Sequence, residues 1–173
     1  MRVAVVGLGF MGITHITALQ KISNVEVAAV CDARADQLDL SSLRVAGNLQ
    51  TSEVVLDSDT TRLYADYGRM LEDGGFDFVD ICLPTFLHER FSIDAMKSGY
   101  PVFCEKPLAL DPESGRRMVQ AAEDTGQLLG VGHCLRFWPG WAELKELIDS
   151  GRFGKVTAAH LSRLSARPGW TDG

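Results

Sequence analysis

The chain has 173 residues, 46% hydrophobic and 23% charged, the balance of a water-soluble globular protein long enough to bury a sizeable core. Its formal net charge of −6, with no block of basic residues, argues against a general nucleic-acid or anionic-membrane surface. No apolar run approaches the roughly 20 residues that span a bilayer, and an apolar strand that opens at Val3 predicts no secretory leader.

The first predicted element is a strand, Val3-Ala4-Val5-Val6, which feeds into Gly7-Leu8-Gly9-Phe10-Met11-Gly12. Ile13, Ile16, Leu19 and Ile22 then recur at helical spacing. Strand, glycine turn and helix form the context in which G-x-G-x-x-G is a dinucleotide-binding fingerprint. Gly7 permits the tight turn, Gly9 lets the backbone approach a pyrophosphate, and Gly12 lets helix and strand pack closely. The phosphates of such a ligand sit at the helix N-terminus, with Phe10 and Met11 in its first turn. A second strand, Val25 to Val30, ends in Cys31-Asp32, and Asp32 stands twenty residues beyond Gly12, where an acid grips the adenosine ribose.

Residues 33 to 50 are predicted as a helix with an irregular end, and 51 to 61 as a loop or short extra element. Arg62 to Ala65 is a short strand and Tyr67 to Glu72 a short helix stopped by Gly74-Gly75. Phe78 to Leu83 is a strand ending at Pro84, followed by a helix that closes at Gly99. Pro101 to Cys104 is the next strand. Asp111-Pro112 supplies an N-cap and a proline at the first helical position of a helix that ends near Gly126. Leu128 to Val131 adds a strand, and Trp141, Leu144, Leu147 and Ile148 an amphipathic helix ended by Gly151. Val156 to Leu164 reads as a final strand. This alternation predicts an α/β fold, a doubly wound and mostly parallel Rossmann sheet. Cys31, Cys82, Cys104 and Cys134 are widely spaced, with no C-x-x-C, and read as buried small hydrophobes of a reducing cytoplasm, not as zinc ligands or disulfides. No metal site is expected.

Several motifs, in order, resemble the Gfo/Idh/MocA oxidoreductases, a family that includes glucose–fructose oxidoreductase and inositol dehydrogenase. They are Gly7-x-Gly9-x-Met11-Gly12-x-x-His15, Cys31-Asp32, Pro84-Thr85-x-x-His88, Glu105-Lys106-Pro107, Gly132-His133-x-x-Arg136-Phe137-x-Pro139 and Gly151-x-x-Gly154. The match leaves out only residues 40 to 61, and Glu-Lys-Pro is its most specific step. The resemblance implies a homo-oligomeric NAD- or NADP-dependent oxidoreductase acting on a hydroxyl of a sugar, polyol or derivative. It implies a cofactor domain over 1–135, with 136–173 as the incomplete start of a second α/β domain that builds the substrate pocket. The family's second catalytic motif, an Asp four residues before a His, is not matched at His15, His88, His133 or His160. The chain is therefore expected to supply the cofactor half, to bind without turning over alone, and to self-associate or disorder beyond Gly154. A non-catalytic NAD-binding module and a subunit that needs a partner chain are the competing readings.

Asp32 favours NAD because a carboxylate accepts from the ribose hydroxyls and repels a 2′-phosphate, while Arg34 could accommodate that phosphate. The resemblance makes Lys106 the catalytic residue, at a strand end where it faces nicotinamide and substrate and helps shift a proton. Glu105 orients the lysine, contacts the cofactor, or is a plain structural acid. Pro84 and Thr85 are expected on the nicotinamide-ribose side. His88 is either a cofactor-site residue or a packed helix-start histidine, and His15 is read as structural. Arg136 binds substrate or stabilises the domain junction. Phe137, Trp138 and Trp141 read as core or interface.

Overall fold

The structure, a computed structural model, describes residues 1–43 and 54–164. The chain divides into two compact units, Met1–Gly132 and His133–Gly173.

The first unit contains β1 (Arg2–Val6), α1 (Phe10–Leu19), β2 (Glu26–Cys31), β3 (Arg62–Tyr64), α2 (Tyr67–Asp73), β4 (Phe78–Ile81), α3 (Thr85–Lys97), β5 (Val102–Cys104), α4 (Pro112–Thr125) and β6 (Leu129–Val131). The six strands form one sheet in the order β3-β2-β1-β4-β5-β6, and all its pairings are parallel. The strand order reverses between β1 and β4. In open α/β sheets the crevice for a ligand lies at such a reversal, beyond the carboxyl ends of the strands.

The strands read as near-continuous apolar runs because both faces are covered. Side chains alternate by two, so Ala4 and Val6 join Met70, Met96 and Met118 in one core layer. Val3 and Val5 join Ile13, Ile16 and Leu43 in the other. Fully burying such a side chain stabilises the fold by about 1.5–3 kcal/mol. Helix ends follow local chemistry: the Asp111 carboxylate accepts from the Ser114 N–H at 2.8 Å, and Gly126 ends α4 with φ of 67°.

Two predicted elements are corrected. In place of a helix from 33, only a 3₁₀ turn, Ala35–Gln37, forms; the part of that prediction over 44–50 lies outside the described residues, as does 51–53 of the loop. The Asp39 side chain accepts from the N–H and hydroxyl of Ser41, a local alternative to helical bonding, and Leu43 then bridges antiparallel to Val54. The final strand is the second correction. Residues 156–164 adopt no regular structure: a strand needs a ladder partner, and the second unit has no other described strand to supply one. The second unit holds α5 (Pro139–Asp149), preceded by a 3₁₀ turn at Cys134–Phe137. Phe137, Trp138 and Trp141 are exposed there and form no core, and Cys134 is exposed where a buried thiol was expected. Cys31 and Cys104 are buried, and burial pushes both thiols up to about 12. No helix among the described residues is long and apolar enough to cross a membrane.

Candidate functional site

The glycine turn links β1 to α1 at the reversal point of the sheet. Gly7 has φ of +91°, and a Cβ there would lie 2.7 Å from the Cys82 carbonyl oxygen. A Cβ on Gly12 would lie 1.9 Å from the Gly7 carbonyl oxygen. Gly9 is different: a Cβ there meets nothing within 4 Å. Gly7 and Gly12 are therefore required by the fold, whereas the fold leaves room for a side chain at Gly9. That helix begins with no side-chain cap and no acid in its first turn, and half-buried Phe10 and Met11 stand beside the opening. A positive helix end whose N-cap is a glycine, with no side chain of its own to fill the approach, fits a pyrophosphate.

Asp32 follows β2 at the same edge. Its carboxylate accepts from the Leu8 N–H at 2.8 Å, the Arg34 N–H at 2.9 Å, and Arg34 Nε and Nη2 at 3.0 and 3.1 Å. Burial alone would raise its pKa, but hydrogen bonds from Arg34 and Leu8 and the guanidinium charge hold it below the usual carboxylate range. Arg34 itself is mostly exposed, so its guanidinium can swing toward a ligand. A cavity of about 810 Å³ opens beside Asp32, lined among others by Ala33, Tyr67, Leu83 and Leu87. Its apolar walls, with Asp32 at the edge and further acids together with the bases Arg90 and Lys97 around it, suit an adenosine.

Across the reversal point, Pro84 is exposed and Thr85 half-buried at the start of α3. Glu105 and Lys106 follow β5: Glu105 is buried, Lys106 exposed, and the Lys106 N–H donates to Glu105 Oε2 at 3.1 Å. His88 does not present a polar atom to this edge. It is 1% exposed, Nε2 lies 2.7 Å from the Leu83 carbonyl and Nδ1 2.9 Å from the Pro107 carbonyl. It ties together the loops after β4 and β5, which is the packed reading of this residue. Arg136 lies in the second unit.

One group escaped the sequence reading. His15, on α1, stands with Asp80 of β4, Cys82 and Glu105. Its Nδ1 lies 2.9 and 3.1 Å from the Asp80 oxygens and 3.3 Å from Cys82 Sγ, and Nε2 lies 3.3 Å from Glu105 Oε1. His15, Asp80 and Cys82 also gather three ligand-type atoms within 4.8 Å, but Nδ1 already bonds to Asp80, which accounts for the grouping without an ion. The available signal was Asp80 itself, a carboxylate inside an apolar parallel strand, which must find a partner when buried.

The Glu105 carboxyl has burial pushing it up, but the His15 hydrogen bond and charge, with Lys106, hold it below its usual range. Such a group stabilises the fold above its unfolded pKa, about 4.3, and the contribution is lost as pH falls through the lower folded value. The urea midpoint should therefore fall on acidification below about pH 4.3, and Glu105→Gln should flatten that acid limb. An identical acid limb in both proteins would remove Glu105 from the balance.

Residues 1–133 match the family model of the Gfo/Idh/MocA oxidoreductases, described as an NAD-binding Rossmann fold. The chain is 35% identical to an inositol 2-dehydrogenase of an Arthrobacter species, over 99% of this chain and 48% of that protein. It is 34% identical to inositol 2-dehydrogenase 2 of Saccharopolyspora erythraea, over 92% and 44%. It thus spans about half the length of these curated relatives. Among solved structures, an oxidoreductase from Agrobacterium radiobacter in complex with NAD+, L-tartaric acid and magnesium superposes with a TM-score of 0.74. That match has 26% identity and covers 90% of this chain and 42% of the other.

Proposed function

Because the chain belongs to the Gfo/Idh/MocA oxidoreductases and its first unit is an NAD-binding Rossmann domain, we propose that it serves hydride transfer between NAD and a hydroxyl of a sugar or polyol. The observation that carries this reading is Lys106, an exposed lysine beside a buried carboxylate, on the opposite side of the strand reversal from the glycine turn. A non-catalytic NAD sensor has no use for a lysine there. When bound, the nicotinamide supplies the hydride acceptor.

In this reading Gly9 and the first turn of α1 hold the pyrophosphate, Asp32 accepts from the adenosine ribose, and Pro84 and Thr85 border the nicotinamide ribose. Glu105 fixes the backbone at Lys106 through the hydrogen bond to its N–H. The Lys106 amine takes up or relays the proton released as the substrate hydroxyl becomes a carbonyl. Arg136, in the second unit, is proposed to contact substrate. Homo-oligomerisation and a reducing, cytoplasmic location belong to the same reading, the latter fitting four free thiols.

Calorimetric titration of the chain with NADH tests the first step, and polyol-dependent NAD reduction the second. Asp32→Ala should weaken NAD about tenfold or more, the loss of a charge-assisted hydrogen bond of about 1.5–3 kcal/mol. The gap between NAD and NADP should narrow, since the carboxylate that repels a 2′-phosphate is gone while Arg34 stays. Equal NAD affinity in both proteins would place the ribose elsewhere.

A further inference from the structure

We propose that His15 is a positioning residue for the nicotinamide end of the site, holding Glu105 and, through it, the backbone of Lys106. The inference rests on the assignment of Glu105 and Lys106 to that end of the cofactor.

The sheet register brings these groups together. Val5 pairs with Asp80, and Asp80 with Phe103, so all three project from one face. Alternation by two then returns Cys82 and Glu105 to that face, which is the face covered by α1, since Val5 packs with Ile13 and Ile16. His15 projects from α1 between the two carboxylates, with its ring centroid 6.0 Å from that of Phe103. The groups facing its ring are thus Asp80 and Cys82 from β4 and the turn after it, and Glu105 from the end of β5.

Burial alone would depress the basicity of this imidazole. Hydrogen bonds to Asp80, Cys82 and Glu105, with the Asp80 charge, hold it well above the usual range. A carboxylate can only accept, so Nδ1 donates to Asp80, while Nε2 faces Glu105 Oε1 as an ion pair at 3.3 Å. Two carboxylates buried this close repel unless a cation stands between them.

Glu105 is thereby held on both oxygens. Oε1 pairs with His15 Nε2 at 3.3 Å, and Oε2 accepts from the Lys106 N–H at 3.1 Å. Gly132, just beyond β6, completes the seat, because a Cβ there would lie 2.7 Å from Oε1. The helix that meets the phosphates is in this way linked through one side chain to the residue expected to move the proton.

The test uses the 173-residue chain and two ligands, NADH and ADP-ribose, which lacks the nicotinamide. His15→Gln, which removes the cation, should weaken NADH about fivefold or more, with ADP-ribose within about twofold of wild type. Gly132→Ala, which displaces Glu105 Oε1 without touching His15, should give the same selective loss. Equal weakening of both ligands, or no change in either, would overturn the positioning role. Should His15→Gln fail to fold, His15→Gln/Asp80→Asn removes one of the two uncompensated carboxylates, and the same criterion applies. A measurement that needs no variant is nitrogen NMR of the wild-type imidazole. Both ring nitrogens of His15 should be protonated at about pH 8, and a neutral ring there would also overturn the proposal. Failure of the underlying assignment looks different: wild-type chain would then bind NADH no better than ADP-ribose.

Discussion

Gly12→Ala is expected to destabilise the first unit by about 3 kcal/mol or more, the upper end of the overpacking range, and Gly9→Ala to leave stability almost unchanged. Both lie in one motif, yet they answer to different forces. A methyl on Gly12 would sit 1.9 Å from the Gly7 carbonyl oxygen, an atom fixed by the β1–α1 turn. The helix would have to lift from the strand, breaking contacts of Ile13 and Ile16 in the core. A methyl on Gly9 meets only open space, and Gly9 has an ordinary φ of −79°. It should instead obstruct the approach of a pyrophosphate and weaken NADH. Urea denaturation and calorimetry on the two variants separate the effects. A folded, fully stable Gly12→Ala would contradict the packing described here, and unaltered NADH affinity in Gly9→Ala would move the phosphates away from this turn.

Lys106→Ala is expected to lower turnover about 10²-fold, the scale for losing a positioned proton-transfer group, with NADH affinity changed less than about threefold. The amine is exposed and its backbone is held by Glu105, so removing the side chain leaves the seat intact. Loss in kcat with little change in binding marks an interaction made in the transition state. The comparison is made in a preparation that reduces NAD with a polyol. Near-normal kcat there would assign Lys106 to binding or to the surface and favour a non-catalytic NAD-binding module.

The glycine turn, the acid after β2 and the cap at Asp111 are legible in sequence because each depends on residues within a few positions of one another. The carbonyls that hold His88 and the His15 group are not, since they depend on which strand lies beside which. Nothing in the sequence neighbours of His15 indicates that Asp80 and Glu105 converge on its ring. The segment after Asp32 failed for a local reason. Leu38, Leu40 and Leu43 have apolar spacing a helix could use, but the Asp39 side chain bonds to Ser41, and the leucines reach the second core layer from an irregular path. The final strand failed for the opposite reason, being a strand in pattern without a described neighbour to pair with.

The central place of β1 carries a consequence for how the protein is made. β1 is synthesised before either strand that flanks it, and its two edges are closed by β2 and β4, whose last residues are Cys31 and Ile81. At the usual elongation rate of roughly 5–20 residues per second, about 3–10 s separate the emergence of those two partners from the ribosome. During that interval one side of β1, four of whose five residues are buried and apolar, can pair with β2 while the other stays open. The nascent chain is then a half-zipped sheet, and it is in this window, more than in the finished fold, that a chaperone has something to hold.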